Sequence, residues 1–570
     1  MVARPLACYV AAFSVGLAVA AAVTRAQPAA SLKSIAIPRP SNLARYVANE
    51  QALVVLGKAL FWDVQVSSDN RIACASCHFH AGADHRRPNQ LASSDFPFSR
   101  GDMEAGRRVA SAGIARRVAG EKEGRAHGLG VRQITTRNAP SVINAAHYFR
   151  TFWDGRASNV FTGRTPFGDS DSKPNLLVER DGQLVAEALR IENASLASQA
   201  VGPPVDDVEM SDPGRTWPML GRKMLAARPL ARQLVAPDDS VLGPLANRNG
   251  RGLASKDTYF ALVRAAFRPE YWKSPAGAPE YTQAESNFSM FFGLAVQAYE
   301  STLISDDTPY DRFLDGDRGA LTPAAQAGLQ MFRVRNCTQC HPGPALTLAT
   351  YSGVRGDAHS QGLGPDGGFF HTGVEPIPND LGLGGRDGFG RLLSITGRND
   401  PRLARWTAGL FKTPDLRNVE LTGPYFHTGS KATLEQIVEF YTFAGDYPAP
   451  SLTPWGPDPH ERITLPAFLK ALTDDRVRFE RAPFDHPELC VAIVESKDGT
   501  RPAASRRGAP VGAVERWASI PPVGAKGNRV PLQTFEELLR GIGSDGSRAH
   551  TLAAPCPTAA AVVSSLQPSF

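Results

Sequence analysis

The sequence predicts a mainly α-helical protein with two helical domains, and three observations predict it. Apolar residues recur at helical spacing in several stretches, strand-like alternation is sparse, and one pentapeptide, Cys-x-x-Cys-His, occurs twice, each time directly behind a predicted helix. In chain order, 53–62 reads as the helix leading into the first pentapeptide. The stretch 284–305 carries Phe288, Phe291, Phe292, Val296 and Tyr299 at helical spacing. Thr322 as N-cap, with Pro323 at the first helical position, opens a helix over 323–332 that leads into the second pentapeptide. Thr433 and Gln436 form a capping box for a helix through Tyr441. With 52 Gly and 45 Pro, the intervening stretches 80–150, 160–190, 342–400 and 445–465 are predicted as long loops. Gly362, Gly364 and Gly367 fit a dinucleotide-loop spacing, but no hydrophobic strand precedes them and Pro365 interrupts, so they read as loop.

A formal charge of +6, from 62 basic and 56 acidic residues among 570, is small, and no basic run carries interleaved aromatics. Nucleic acid is therefore not an expected partner. Residues 1–26 read as a secretory signal, with Arg4 as the charged end, an apolar stretch over 6–23, and Thr24-Arg25-Ala26 before the cut. Export to the periplasm follows; the alternative is a membrane anchor, and no later segment reads as transmembrane. Of seven cysteines, Cys8 lies in the signal and four lie in the pentapeptides, which leaves Cys490 and Cys556 as either a disulfide or two buried thiols.

The pentapeptides are Cys74-Ala75-Ser76-Cys77-His78 and Cys337-Thr338-Gln339-Cys340-His341. Two cysteines one helical turn apart suit thioether bonds to the porphyrin vinyl groups, and the adjacent histidine suits iron, which is the attachment pattern of c-type haem. Zinc or a redox dithiol is the competing use of Cys-x-x-Cys, and His80 and His85 keep zinc open at the first motif. Two such motifs, each behind a helix, give the full expectation: two cytochrome c-like haem domains with long loops and a C-terminal extension. The expected divisions are 27–300, 301–480 and 481–570.

Several further stretches carry a family resemblance: 56–63, Arg137-Asn138-Ala139-Pro140-Ser141, Phe152-Trp153-Asp154-Gly155-Arg156, Glu209-Met210, Phe411-Lys412-Thr413-Pro414, Leu416-Arg417-Asn418 and Pro424-Tyr425-Phe426-His427. In this order the chain resembles the bacterial di-haem cytochrome c peroxidase and MauG superfamily. The resemblance implies that the N-terminal haem reacts with peroxide, that the C-terminal haem handles electrons, and that Trp153 lies between them. It makes Glu209 the acid and base of O–O cleavage, and it places calcium at Asn138, Thr422 and Pro424, through the Asn side chain and two backbone carbonyls. Read by themselves, Trp153 is better explained as a core aromatic and Glu209 as a loop acid beside Asp206, Asp207 and Asp212, while Asn138 also reads as a turn residue, so these assignments rest on the resemblance. Fourteen residues after His427, where the peroxidases carry a methionine ligand to the second iron, stands Tyr441, as in MauG. A hard phenolate favours the ferric state where a thioether favours the ferrous. Tyr441 as a core residue, with His486 or His550 ligating instead, is the alternative.

The loop after the first motif offers His80, His85 and His127 as distal ligands, or an open site. An insert over 159–193, the tail beyond 460 and the stretch 194–204 resemble a longer subgroup that includes rubber oxygenases. The expected function is a periplasmic, peroxide-using haem oxidoreductase of the EC 1.11.1 type. Its oxidant is hydrogen peroxide or dioxygen, and a small cytochrome, a cupredoxin or another protein is its redox partner. The rivals are an oxygenase of an apolar substrate and a non-catalytic electron carrier.

Overall fold

The computed structural model describes residues 30–86, 111–115, 132–254, 258–274, 280–355, 364–456, 458–496, 513–540 and 556. The signal segment, Cys8, His127 and His550 lie outside the described residues. The first helices are α1 (Glu50–Trp62), α2 (Ala75–His78), α3 (Ser195–Ala200), α4 (Trp217–Ala226), α5 (Tyr259–Ala266), α6 (Gln283–Ser286) and α7 (Phe288–Glu300). They are followed by α8 (Pro309–Leu314), α9 (Pro323–Val334), α10 (Tyr351–Arg355), α11 (Ile395–Asn399), α12 (Leu434–Thr442), α13 (Glu461–Lys470), α14 (Asp475–Arg478) and α15 (Phe535–Arg540). The strands form only two-stranded antiparallel pairs: β1 (Ala112–Ala115) with β2 (Arg132–Ile134), β3 (Leu176–Arg180) with β4 (Gln183–Glu187), β5 (Phe369–Phe370) with β6 (Phe411–Lys412), and β7 (Leu489–Ser496) with β8 (Ala513–Ile520). The protein is thus mainly helical, as expected.

The two halves are built on the same helix crossing. In the first, α1 packs across α7, and Gly57 lies so close that a Cβ there would collide with the carbonyl oxygen of Ala295. Trp62 Nε1 donates to the Tyr299 hydroxyl across the same contact at 2.9 Å. In the second, α9 packs across α13, and Gly328 meets the carbonyl oxygen of Thr464 in the same way. Helices can approach this closely only where no side chain intervenes. Gly57→Ala is therefore expected to cost about 3 kcal/mol, the upper end of ordinary overpacking, and to lower the urea midpoint of unfolding. Gly319→Ala, at an exposed position with room for a methyl, serves as the near-neutral control.

Caps explain where the predicted helices start. Asn49 accepts from the backbone N–H of Ala52 at α1, Thr322 from Ala325 at α9, and the Thr433/Gln436 capping box opens α12. The predicted helix over 284–305 is interrupted at Asn287. The Asn287 side chain accepts from Leu177 N–H and donates to the carbonyls of Leu177 and Tyr271, so it is tied to a neighbouring strand instead of continuing the helix. That strand belongs to the β3–β4 hairpin, which stands where only loop was expected; Asp181 and Gly182, both at positive φ, make its turn.

One buried cluster runs from Tyr46 to Leu303, and a second from Tyr310 to Leu472. The C-terminal extension belongs to the first: Phe484, Leu489, Val491 and Ala518 pack into it, and Cys490 is disulfide-bonded to Cys556. His486 stacks on Trp62 with ring centroids 4.6 Å apart, and Lys58, fully buried, bridges Asp239 at 2.8 Å and Asp485 at 3.3 Å.

Candidate haem sites

Around the first motif, the short helix α2 sets the spacing. Ser76 Oγ accepts from Ala73 N–H, and Cys77 N–H donates to the Cys74 carbonyl, which brings the two thiols one turn apart with His78 next to them. His78 Nδ1 lies 2.9 Å from the Gly82 carbonyl. Donation there leaves Nε2 as the free lone pair, the arrangement that orients an iron-ligating imidazole. Burial pushes the His78 pKa down and keeps the ring neutral. The second motif repeats the device: His341 Nδ1 lies 2.9 Å from the Leu346 carbonyl, and burial lowers its pKa to about 4.

Beside the first motif is a cavity of about 290 Å³. Cys74, Cys77 and His78 line it together with Trp153, Asn138 and Glu209, so residues far apart in the chain meet at one space. Its apolar walls include Phe61, Ile72, Val142, Phe152, Met210 and Val296. Two thiols, a histidine with a free Nε2 and an apolar slot suit a covalently bound macrocycle. Asp206 holds Glu209 in place by accepting from the backbone N–H groups of Val208 and Glu209. Enclosure pushes the Glu209 carboxyl up to about 7, with Arg156 opposing and Asp206 adding. A carboxyl so placed can both take and return a proton near neutrality.

Trp153 Nε1 donates to the Asn138 carbonyl at 2.8 Å, and the Trp153 carbonyl accepts from Lys412 N–H at 2.8 Å. The His427 ring lies 6.2 Å from the indole. Asn138 Nδ2 donates to the Pro424 carbonyl at 2.7 Å, while the Thr422 hydroxyl donates to Val419. The amide of Asn138 and the 422–424 turn thus meet at one place. To hold a cation there, the amide must turn its Oδ1 toward the carbonyls.

Tyr441, in the last turn of α12, packs against Phe426 and Phe440 and lies within electrostatic reach of Cys340 and Cys337; burial raises its hydroxyl pKa. The structure therefore brings Tyr441 to the second motif. It does not bring His486 there: His486 Nε2 faces Glu480 at 3.0 Å inside the first core, where the tail returns to α1. Nor do His80 and His85 line the first cavity. Their rings stack on each other at 3.5 Å, between Phe79 and Phe535.

Gln199 and Glu300 line the cavity without having been singled out from the sequence. Glu300 is buried at the end of α7, its Oε2 has no partner, and burial alone pushes its carboxyl up to about 8. An acid closing an otherwise apolar helix was the available signal for Glu300. Gln199 gave none.

The family model described as di-haem cytochrome c peroxidase matches residues 51–319. A cytochrome c peroxidase of Denitromonas iodatirespirans is 26% identical over 454 residues, covering 74% of this chain and 81% of its own. A cytochrome c551 peroxidase of Nitrosomonas europaea is 24% identical, covering 72% and 79%. The methylamine utilization protein MauG of Methylorubrum extorquens is 25% identical, covering 80% and 88%. Among solved structures, a MauG-like protein associated with microbial copper homeostasis aligns with a TM-score of 0.45 at 21% identity, covering 79% of this chain and 96% of its own. The chain resembles the di-haem cytochrome c peroxidases and MauG over most of its length, and the likeness makes it a peroxidase-type oxidoreductase.

Proposed function

We propose that the protein is an exported periplasmic enzyme that carries one haem c on Cys74 and Cys77 and another on Cys337 and Cys340, and reduces peroxide at the first. The observation that carries this reading is that Glu209 opens onto the same cavity as His78 and both thiols of the first motif. When bound, the haems supply electron chemistry and a site for peroxide. The chain's residues do the rest. His78 and His341 present Nε2 to the irons, and the carbonyls of Gly82 and Leu346 hold their rings in place. Glu209 takes the proton from the near peroxide oxygen and returns it to the leaving one. Trp153 offers an oxidisable π-system between the two halves, and Tyr441 completes the ligands of the second iron. The export signal supports the location, and no described helix is long and apolar enough to cross a membrane.

Electron paramagnetic resonance of the ferric protein, repeated after peroxide, tests the reading. Two distinct haem signals, of which the first is lost on adding peroxide, are expected. Two low-spin signals indifferent to peroxide and cyanide would instead make the protein a carrier. Calcium is proposed at Asn138, Thr422 and Pro424. Because Trp153 hangs on the Asn138 carbonyl, chelation is expected to lower peroxide turnover severalfold with no loss of haem, and added calcium to restore it.

A further inference from the structure

The cavity wall carries three cations, and one of them lacks an acid. Arg137 pairs with Asp154 at 2.6 Å and Asp380 at 2.7 Å, and Arg156 pairs with Asp154 at 3.0 Å. Lys412 is only 4% exposed and has no carboxylate within ion-pair distance among the described residues. Its Nζ stands 3.4 Å from the Tyr148 ring centroid, and Asp415 acts on it only as a field. One aromatic face does not repay the burial of an ammonium, and burial pushes Lys412 down to about 7. The carboxyls on the same wall, Asp206, Glu209 and Glu300, stand outside ion-pair distance of it as well. The missing counter-charge must therefore come from what fills the cavity.

We propose that Lys412 binds a carboxylate of the cavity's occupant, a propionate of the haem on Cys74 and Cys77. This rests on the reading of the first motif as a haem site. The thiols and His78 commit the cavity to one macrocycle, and its propionates are its anionic groups. Lys412 reaches them from the other half of the chain. It lies on β6, which pairs with β5 behind the second motif, and the carbonyl of the next residue, Thr413, accepts from Thr347. The backbone N–H of Lys412 meanwhile donates to Trp153. One residue thus joins the charged edge of the first haem, the backbone carbonyl of Trp153 and the segment behind the second motif.

The test compares the full-length wild type with Lys412→Met and Lys412→Arg. Covalent haem is counted first by mass. Absence of haem from Cys74 and Cys77 in the wild type would overturn the functional reading itself. With haem present, redox titration of the first haem is decisive. Removing a cation beside it disfavours the reduced form, so K412M is expected to lower the reduction equilibrium constant about tenfold, ~59 mV for one electron. The midpoint of K412M should also gain a pH dependence as the unpaired propionate titrates, whereas K412R stays near wild type on both counts. An unchanged midpoint in K412M would overturn the proposal. So would a wild-type midpoint that moves with added acetate or formate while that of K412M does not, since a free carboxylate would then be the occupant. If K412M fails to take haem, Lys412→Gln is read by the same titration.

Discussion

Glu209→Gln is expected to lower kcat/KM for hydrogen peroxide by about two to four orders of magnitude, the usual share of a general acid–base group. Glutamine keeps the shape and the hydrogen-bonding reach of the side chain but takes up no proton, so covalent haem content and cavity packing should stay unchanged. The pH profile gives an independent reading. Burial raises the Glu209 carboxyl from 4.5 to about 7, so the proton-accepting form is lost as pH falls through 7, and wild-type kcat/KM should decline on the acid side with an inflection near there. The variant should show no such inflection. Stability runs the opposite way. Glu209 and Glu300, at about 7 and 8, bind protons more tightly in the folded than in the unfolded chain, so what they contribute is present at low pH and lost as pH rises through those values. A variant with wild-type rates would leave Glu209 as a loop acid.

Tyr441→Phe is expected to abolish the low-spin signal of the second haem and raise its midpoint potential. Axial ligands tune haem potentials over a range of about 0.8 V, and loss of a hard anionic oxygen should move this haem on the order of 0.1 V or more toward easier reduction. Tyr441→Met should move it further in the same direction, since a thioether favours ferrous iron. The packing on Phe426 and Phe440 is kept by phenylalanine, so any effect belongs to the hydroxyl. If absorption and resonance spectra are identical in wild type and Tyr441→Phe, the residue is a packing tyrosine and the second iron has another ligand.

What could be read from the chain alone follows from how local each constraint is. The pentapeptides were legible because their five residues are contiguous, and α1, α9 and α12 because their caps and apolar faces lie within a few residues of one another. The β3–β4 hairpin carried its Asp181-Gly182 turn in plain view, but one short pair within a Gly-rich stretch was outweighed by its surroundings. The partners β7 and β8 are separated by sixteen residues, so no turn signal joined them. His486 was open to misassignment because position near the C-terminus does not say which half the tail packs on. The meanings of Glu300 and Lys412 depend on partners that are missing from their surroundings, a property of three-dimensional neighbourhood that no local pattern encodes.

The return of the tail to α1 has a bearing on how the protein is assembled. Lys58 and Asp485, which meet in the first core, are 427 residues apart in the chain. A chain emerging from its N-terminus presents Cys74 and Cys77 long before the segment that braces the far side of α1 exists. For that interval the early half lacks the packing that the tail supplies to α1. Arrival of the tail then completes the first core, as Phe484, Leu489, Val491 and Ala518 pack into it.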